Sequence, residues 1–306
     1  MRSWIVSEGY AGLQAQALGL AEAAGLAPEL HPLAPRLPWR LVPAAYWRAP
    51  LSAVTLPRTR PDLVIGCGGV AASVGAALRR RGARAVQVQN PRMDPSRFDL
   101  VVVNRHDEMT GPNVLVTRTA LHRVTPERLA AAAADWQPRL AHLPRPLVAV
   151  LVGGTNGRFR LDAAVGTELA ARLAGMMWAD RVGVALTPSR RTDPAVTRAL
   201  ADTLGPLGGW VWDGTGENPY FGLLGLADAI VVTMDSVSMV SEAVATRAPV
   251  MLAGLPGSSR RIGLFTQGLI ADGRVRDFTG RCEMWPVEPL DDTAAAAAEM
   301  RRRLDF

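Results

Sequence analysis

Between Ala227 and Val250 the chain reads Ala-Asp-Ala-Ile-Val-Val-Thr-Met-Asp-Ser-Val-Ser-Met-Val-Ser-Glu-Ala-Val-Ala-Thr-Arg-Ala-Pro-Val. Two apolar runs flank a polar turn and a helical pattern, so a buried strand, a turn, a helix and a second buried strand are expected. Asp235, Ser236, Ser238 and Met239 would form the start of that helix, with Glu242 about one turn inside. A helix start presents unpaired backbone N–H groups and the positive end of the helix dipole, which suits a diphosphate. A carboxylate one turn further in can accept hydrogen bonds from ribose hydroxyls. The same residues also fit a simpler role in which Ser236 or Ser238 only caps the helix.

Other segments carry groups of the same kind. Gly153-Gly154-Thr155-Asn156-Gly157 follows an apolar run and has glycines where a ligand could meet the backbone closely, with Thr155 and Asn156 as donors to phosphate. It matches neither GxGxxG nor the Walker pattern. Ser189, Arg190 and Arg191 follow the next apolar run, and a guanidinium fork matches diphosphate oxygens; they also fit a solvated helix start before Pro194. Asn218 either caps a helix or contacts ligand, and Tyr220 either packs or meets a base. In the first half, Glu8-Gly9-Tyr10-Ala11-Gly12 with Gln16 forms a candidate acceptor loop, Glu8 being a possible general base or a plain surface acid. His106 beside Asp107 suits acid–base work or a structural hydrogen bond. Cys67 lacks an identifiable base.

These residues need elements to hold them. Short apolar strands alternate with amphipathic helices: strands near 3–7, 62–66, 85–89, 100–104 and 114–117, then 147–152, 182–187, 210–212, 229–233 and 250–253. Such alternation predicts an α/β fold of two doubly wound, Rossmann-like domains facing a cleft. Pro138, Pro144 and Pro146 mark the expected break, giving domains 1–143 (acceptor side) and 144–306 (nucleotide-sugar side), with the last helix a candidate to pack back on the N-terminal domain. In such sheets ligands sit beyond the carboxyl ends of strands, where the loops above fall.

Composition narrows the classes. With 48% hydrophobic and 20% charged residues the chain is that of a globular protein, and no apolar run reaches membrane-spanning length. Two cysteines and four histidines in no ligating pattern predict no structural metal and no disulfide framework. The net charge of +6 comes from arginine alone, since the chain has no lysine; this excludes a Walker lysine and the Tyr-x-x-x-Lys chemistry of nucleotide-sugar epimerases. The arginines are dispersed and not interleaved with aromatics, so nucleic acid is not expected. A strand begins almost at Met1, so no leader segment and a cytoplasmic location are expected. Pro38–Arg48 is apolar, aromatic and basic, which suits either an anionic membrane surface, with peripheral contact to the inner membrane, or packing on its own domain.

Several stretches together resemble the plant elongated-mitochondria fission-factor (ELM) family and its bacterial relatives. They are Gln87–Arg92, Phe98–Val103, His106-Asp107, Gly111–Leu115, Ala120–Thr125, Thr187–Thr192, Asn218–Tyr220 and Thr233–Glu242. More distantly the arrangement is similar to GT-B glycosyltransferases, such as the enzyme that adds N-acetylglucosamine to a lipid-linked peptidoglycan precursor. The resemblance implies a nucleotide-sugar as partner, held by Gly153–Asn156 and Ser236–Glu242, no separate cofactor, and a lipid-linked acceptor as one option. It also implies a histidine after the second glycine of the first loop, where this chain has Leu13, and a small glycine before Ala120, where it has Arg118-Thr119. A non-catalytic scaffold of the same fold is the alternative that Leu13 supports.

Overall fold

A computed structural model describes residues 1–306. The chain divides into two compact units, the first made of Met1–Arg123 with Asp291–Phe306 and the second of Val124–Leu290.

The first unit contains β1 (Ser3–Ser7), α1 (Ala11–Ala23), β2 (Glu29–Pro32), β3 (Leu63–Cys67), α2 (Gly69–Arg79), β4 (Arg84–Val88), β5 (Leu100–Asn104) and β6 (Val114–Thr117). The second contains α3 (Pro126–Leu140), β7 (Leu147–Val152), α4 (Ala163–Asp180), β8 (Gly183–Pro188), α5 (Pro194–Leu204), β9 (Trp210–Val211), α6 (Tyr220–Leu226), β10 (Ala229–Thr233), α7 (Val237–Val244), β11 (Val250–Ala253), α8 (Arg260–Ala271) and β12 (Val275–Asp277). The chain then returns to the first unit as α9 (Thr293–Leu304).

Each unit is built on a six-stranded parallel sheet. The central strands are buried on both faces, which is why β3, β5, β7 and β10 are almost wholly apolar with no alternation. The first sheet has the order β2-β1-β3-β4-β5-β6 and the second β12-β11-β10-β7-β8-β9. The second is the Rossmann order, with its reversal between β7 and β10; the first reverses between β1 and β3, in the flavodoxin manner. Val148 to Leu151 run in register with Ala229 to Val232, and Ser3 to Ser7 with Leu63 to Cys67. The loops that follow each of these two strand pairs are therefore neighbours at the carboxyl edge of each sheet.

The division falls at 123/124 and not at the expected 143/144. Helix α3 belongs to the second unit because it packs on α6. A Cβ at Gly222 would lie 2.4 Å from Cδ1 of Trp136, and one at Gly225 would lie 2.5 Å from the carbonyl oxygen of Leu129, so both α6 glycines permit close helix approach. Pro138 lies within the last turns of α3, so the proline cluster marks the end of a helix and not a change of unit. Helix α9 is tied to the first unit by polar contacts at both ends. The Arg118 guanidinium and backbone N–H donate to Asp292, His122 meets Asp291 at 3.3 Å, and Arg301 donates to the Ala24 carbonyl at 3.0 Å. Ala296, Ala297 and Met300 complete an apolar cluster with Ala17, Leu20 and Ala21 of α1. Arg118, which stands where the family resemblance implies a glycine nearby, thus has a structural partner.

Candidate functional site

The site is best built from the reversal point of the second sheet. Strand β7 ends at Val152 and β10 at Thr233, and the chain leaves both as tight polar turns. The Gly153 N–H donates to Thr233 Oγ1 at 2.7 Å, and the Gly154 N–H donates to Asp235 Oδ2 at 3.1 Å. No side chain fits at either glycine: a Cβ at Gly153 would lie 2.1 Å from Asp235 Oδ1, and one at Gly154 would lie 2.2 Å from the Arg191 carbonyl oxygen. The Asp235 side chain is fully buried; it also accepts from Thr233 Oγ1 at 2.7 Å and pairs with the Arg191 guanidinium at 2.9 Å. A buried carboxylate is tolerable only with such a complete set of partners. Asp235 therefore locks the loop after β7 to the loop after β10.

This network gives several of the expected ligand-binding groups partners within the chain. Asp235 and Arg191 neutralise one another, so Asp235 is a brace and the Arg191 side chain is largely committed to it and, at 3.3 Å, to the Gly154 carbonyl. Arg190 is exposed. Thr155 and Asn156 do not present their side chains as phosphate donors. Thr155 Oγ1 exchanges hydrogen bonds with the N–H and carbonyl of Leu161, while Asn156 Oδ1 accepts from Arg158 and Phe159 and its amide donates to the Asp235 carbonyl. Both close the loop on itself, as short polar side chains do in turns. Ser189 Oγ lies 3.1 Å from Thr192 Oγ1 and accepts from the Arg191 N–H, so it holds the turn after β8. Asn218 accepts from the Tyr220 N–H at 3.0 Å, in the turn just ahead of α6, whose N-cap position is Pro219.

Helix α7 is the part of this edge best shaped to receive an anion. Ser236 is its N-cap, with Oγ accepting from the Met239 N–H at 3.4 Å. Val237, Ser238 and Met239 make up the partly exposed first turn. The other end is held by Arg274, which is buried and donates to the carbonyls of Val244, Thr246 and Ala248. Burial brings this guanidinium down to about 10. A cation at the last carbonyls complements the helix dipole, so α7 is fixed at both ends. Arg274 lies in a part of the sequence that shows no functional pattern, and its role emerges only from packing.

Glu242 sits on α7 in the second turn, buried, and its carboxylate accepts from the Tyr220 hydroxyl at 2.5 Å. Loss of solvation pushes the carboxyl up to about 7, the Tyr220 hydrogen bond drawing it partly back. Burial, and then the adjoining Glu242 charge, pushes the Tyr220 phenol well above its usual range. The pairing of Tyr220 with Glu242 links the start of α6 to α7 across 22 residues and has no signature in the sequence. The result is a buried carboxyl on α7 whose proton is held more tightly than usual and which accepts from a phenol at the start of α6.

The first unit treats its reversal point differently. Glu8, just past β1, is half-buried and accepts hydrogen bonds from the Val70 and Gly69 N–H groups at the start of α2. Burial raises its carboxyl, the two amides and the Arg92 charge acting the other way. A Cβ at Gly68, whose φ is +104°, would lie 2.2 Å from Glu8 Oε2 and 3.0 Å from Leu13. Glu8 thus occupies the helix N-terminus that an external anion would otherwise use. Gly9 turns with a φ of +78°, Tyr10 is exposed, Gly12 lies in the first turn of α1, and Gln16 is buried and accepts from Gln89 at 3.3 Å. His106 is buried in a single 3₁₀ turn, Arg105–Asp107, after β5. Strands β1 and β5 are separated by three strand spacings, roughly 14 Å. Glu8 is therefore not brought together with His106 and Asp107. Cys67 is fully buried and its thiol is pushed up by burial, which removes it as a nucleophile.

In the Pro38–Arg48 segment the tryptophans turn inward. Trp47 is buried, donates to the Val42 carbonyl at 2.9 Å and meets Trp39 edge-on at 5.9 Å. The exposed apolar groups are Leu37, Leu41, Val42 and Tyr46. No helix is long and apolar enough to cross a membrane.

Comparison with known proteins places this geometry. The family model described as mitochondrial fission ELM1 matches residues 11–304. The mitochondrial fission protein ELM1 of Arabidopsis thaliana is 34% identical over 284 residues, an alignment that takes in 83% of this chain and 66% of the plant protein, so slightly less than two thirds of that protein is represented. Among solved structures, MurG of Acinetobacter baumannii superimposes with a TM-score of 0.51 at 16% identity, covering 98% of this chain and 93% of that one. The UDP-GlcNAc 2-epimerase of Neisseria meningitidis, solved bound to UDP-GlcNAc, gives 0.56 at 12% identity, covering 99% of both. At such identities the likeness is one of fold: two parallel α/β units of the GT-B kind. With the epimerase, as with MurG, the likeness is one of architecture only.

Proposed function

The chain belongs to the mitochondrial fission ELM1 family, and from that membership and its fold we propose that it binds a nucleoside-diphosphate sugar at the α7 edge of its second unit and transfers the sugar to an acceptor. The observation that carries this reading is the buried Glu242 on α7, held by the half-buried Tyr220 hydroxyl, in the helix that follows β10 at the reversal point of a Rossmann-ordered sheet. Glu242 would receive the ribose hydroxyls, and the amides of Val237 to Met239 the diphosphate. Arg190 would add positive charge, so that helix end and guanidinium together stabilise the departing diphosphate without calling on a metal. The UDP-GlcNAc bound in the Neisseria meningitidis epimerase structure supports a nucleotide-sugar as the class to test first. The acceptor is assigned to the first unit, with His106 and Asp107 as its acid–base groups and Glu8 as a positioning group on α2. A lipid-linked acceptor suits the exposed Leu37, Leu41 and Tyr46.

A thermal-shift series with UDP, GDP, ADP, CMP and their sugar conjugates tests the binding. A shift with one nucleotide that disappears in Glu242→Ala is the expected result; shifts unchanged by that substitution would remove the ribose assignment. The second reading is a non-catalytic scaffold of the same fold, at a membrane surface. It is favoured by Glu8, whose carboxylate is already engaged by α2, and by Leu13 packed beside it. No nucleotide shift, together with sedimentation on anionic vesicles, would select it.

A further inference from the structure

At the amino edge of the first sheet, opposite the loops described above, lies a cavity of about 550 Å³. Its wall is formed by the loop before β3, the turn between α2 and β4, and the segment around Arg36, with Trp4 of β1 behind them. Four arginines, Arg36, Arg58, Arg60 and Arg81, line it against a single acid, Asp62. None of these guanidinium groups is paired with a carboxylate. Asp62 is turned to the chain itself, accepting from the Arg2 N–H at 2.7 Å, and Arg36 donates to Thr55 at 2.7 Å. Concentrated positive charge with no internal counter-charge raises the local concentration of anions.

A second observation is independent of the charge. Trp4 is 1% exposed, and its indole N–H has no acceptor in the chain. Buried donors are almost always satisfied, and this unsatisfied one belongs to a residue that lines the cavity. The indole is held in place by the tilted ring of His31, 4.4 Å away between centroids. The volume is that of a small-molecule site.

We propose that this cavity binds a phosphate-bearing anion, with Arg58, Arg60 and Arg81 on the phosphate oxygens and the Trp4 indole N–H donating to one of them. It is separate from the α7 edge, and it stands whether or not a nucleotide binds there. The phosphate can belong to a soluble metabolite or to a lipid headgroup, since both offer the same oxygens.

Titration calorimetry of the full chain with inorganic pyrophosphate at low salt tests it. Saturable binding is expected, weakened about ten-fold or more in the Arg58→Gln/Arg60→Gln/Arg81→Gln variant, since each lost charge-assisted bond is a large fraction of such an affinity. Those arginines are exposed, so the variant should melt with the parent protein. Trp4→Phe, which keeps an aromatic ring but removes the donor, should weaken binding by a smaller factor. Sedimentation with phosphatidylcholine vesicles, with and without phosphatidic acid, separates the sources. Pelleting that requires phosphatidic acid and all three arginines assigns the phosphate to a lipid, and pyrophosphate binding without pelleting assigns it to a soluble ligand. Absence of both kinds of binding overturns the proposal. So does pyrophosphate affinity that falls with Arg190→Gln and not with the triple variant, which would put the anion at α7. A nucleotide-induced melting shift retained in the triple variant keeps the two sites distinguishable.

Discussion

At both points where the strand order reverses, the chain supplies a carboxylate, but Glu8 and Asp235 use theirs in opposite ways. Glu8 reaches over to α2 and accepts from the Gly69 and Val70 amides, so the helix start at β1/β3 is filled from within. Asp235 turns away from α7 and into the protein, taking Gly154, Thr233 and Arg191 instead. Helix α7 is then capped by the neutral hydroxyl of Ser236 alone, with Glu242 and Tyr220 behind it. The difference teaches that a Gly-rich turn after a strand is not a ligand site on its own. What decides is whether the adjacent helix start is already given to a carboxylate of the chain. By that criterion the helix start at the second reversal point is left open by the chain, and the one at the first is closed by Glu8.

The comparison can be broken most directly at Asp235. Asp235→Ala leaves the buried Gly154 amide and Thr233 hydroxyl without a partner, while the Arg191 side chain, 44% exposed, can turn to water, and a loss of about 2 kcal/mol is expected in chemical denaturation. A loss no greater than that of Glu8→Ala would erase the distinction between brace and cap.

The next effect is in pH. The Glu242 carboxyl titrates at about 7 in the folded protein against a normal 4.5, so the native state holds the proton more tightly than the unfolded chain. Its contribution is fully present below 4.5 and is lost as pH rises through about 7, amounting to roughly 3 kcal/mol across that window. Melting curves of the parent protein and Glu242→Gln between these pH values should therefore diverge, the parent alone losing this increment. Parallel curves would show that the carboxyl is not buried as described.

Tyr220→Phe sharpens the same point with a smaller change. It removes the phenol that draws the Glu242 carboxyl down, so the midpoint of that pH dependence should move upward, and stability at neutral pH should fall by about 1 kcal/mol. The smallest effect belongs to Glu8→Ala, which removes a helix cap and should cost about 1 kcal/mol or less in a melting experiment, the site being half-exposed. Nucleotide shifts should survive that change. If they vanish, the first reversal point takes part in nucleotide binding and the contrast between the units fails.

How much of this was legible beforehand varies by element. Strands β1, β5, β7, β10 and β11 match their sequence-based bounds, because short, mainly apolar runs between polar turns have few other solutions. Strand β2, helix α8 and strand β12 went unpredicted: β2 is an exposed edge strand, β12 has three residues, and α8 begins with two arginines that read as a surface run. Family membership and the position of Glu242 on α7 were both readable, since each rests on contiguous residues. Local pattern could not tell a phosphate donor from a side chain that bonds its own loop, as Thr155 and Asn156 do.

The amino-acid order by itself determined the fold class, the parallel sheets, the absence of lysine chemistry and a helix start within 235–239, because these depend on periodicity, composition and neighbours a few residues apart. Only the tertiary structure decided which groups face one another. It joined Asp235 to Arg191, Tyr220 to Glu242 and Arg274 to the end of α7, and it moved α3 into the second unit. Those outcomes depend on strand order and on burial. Burial strips water from a polar group and obliges it to find a partner wherever the chain has brought one, however distant in sequence.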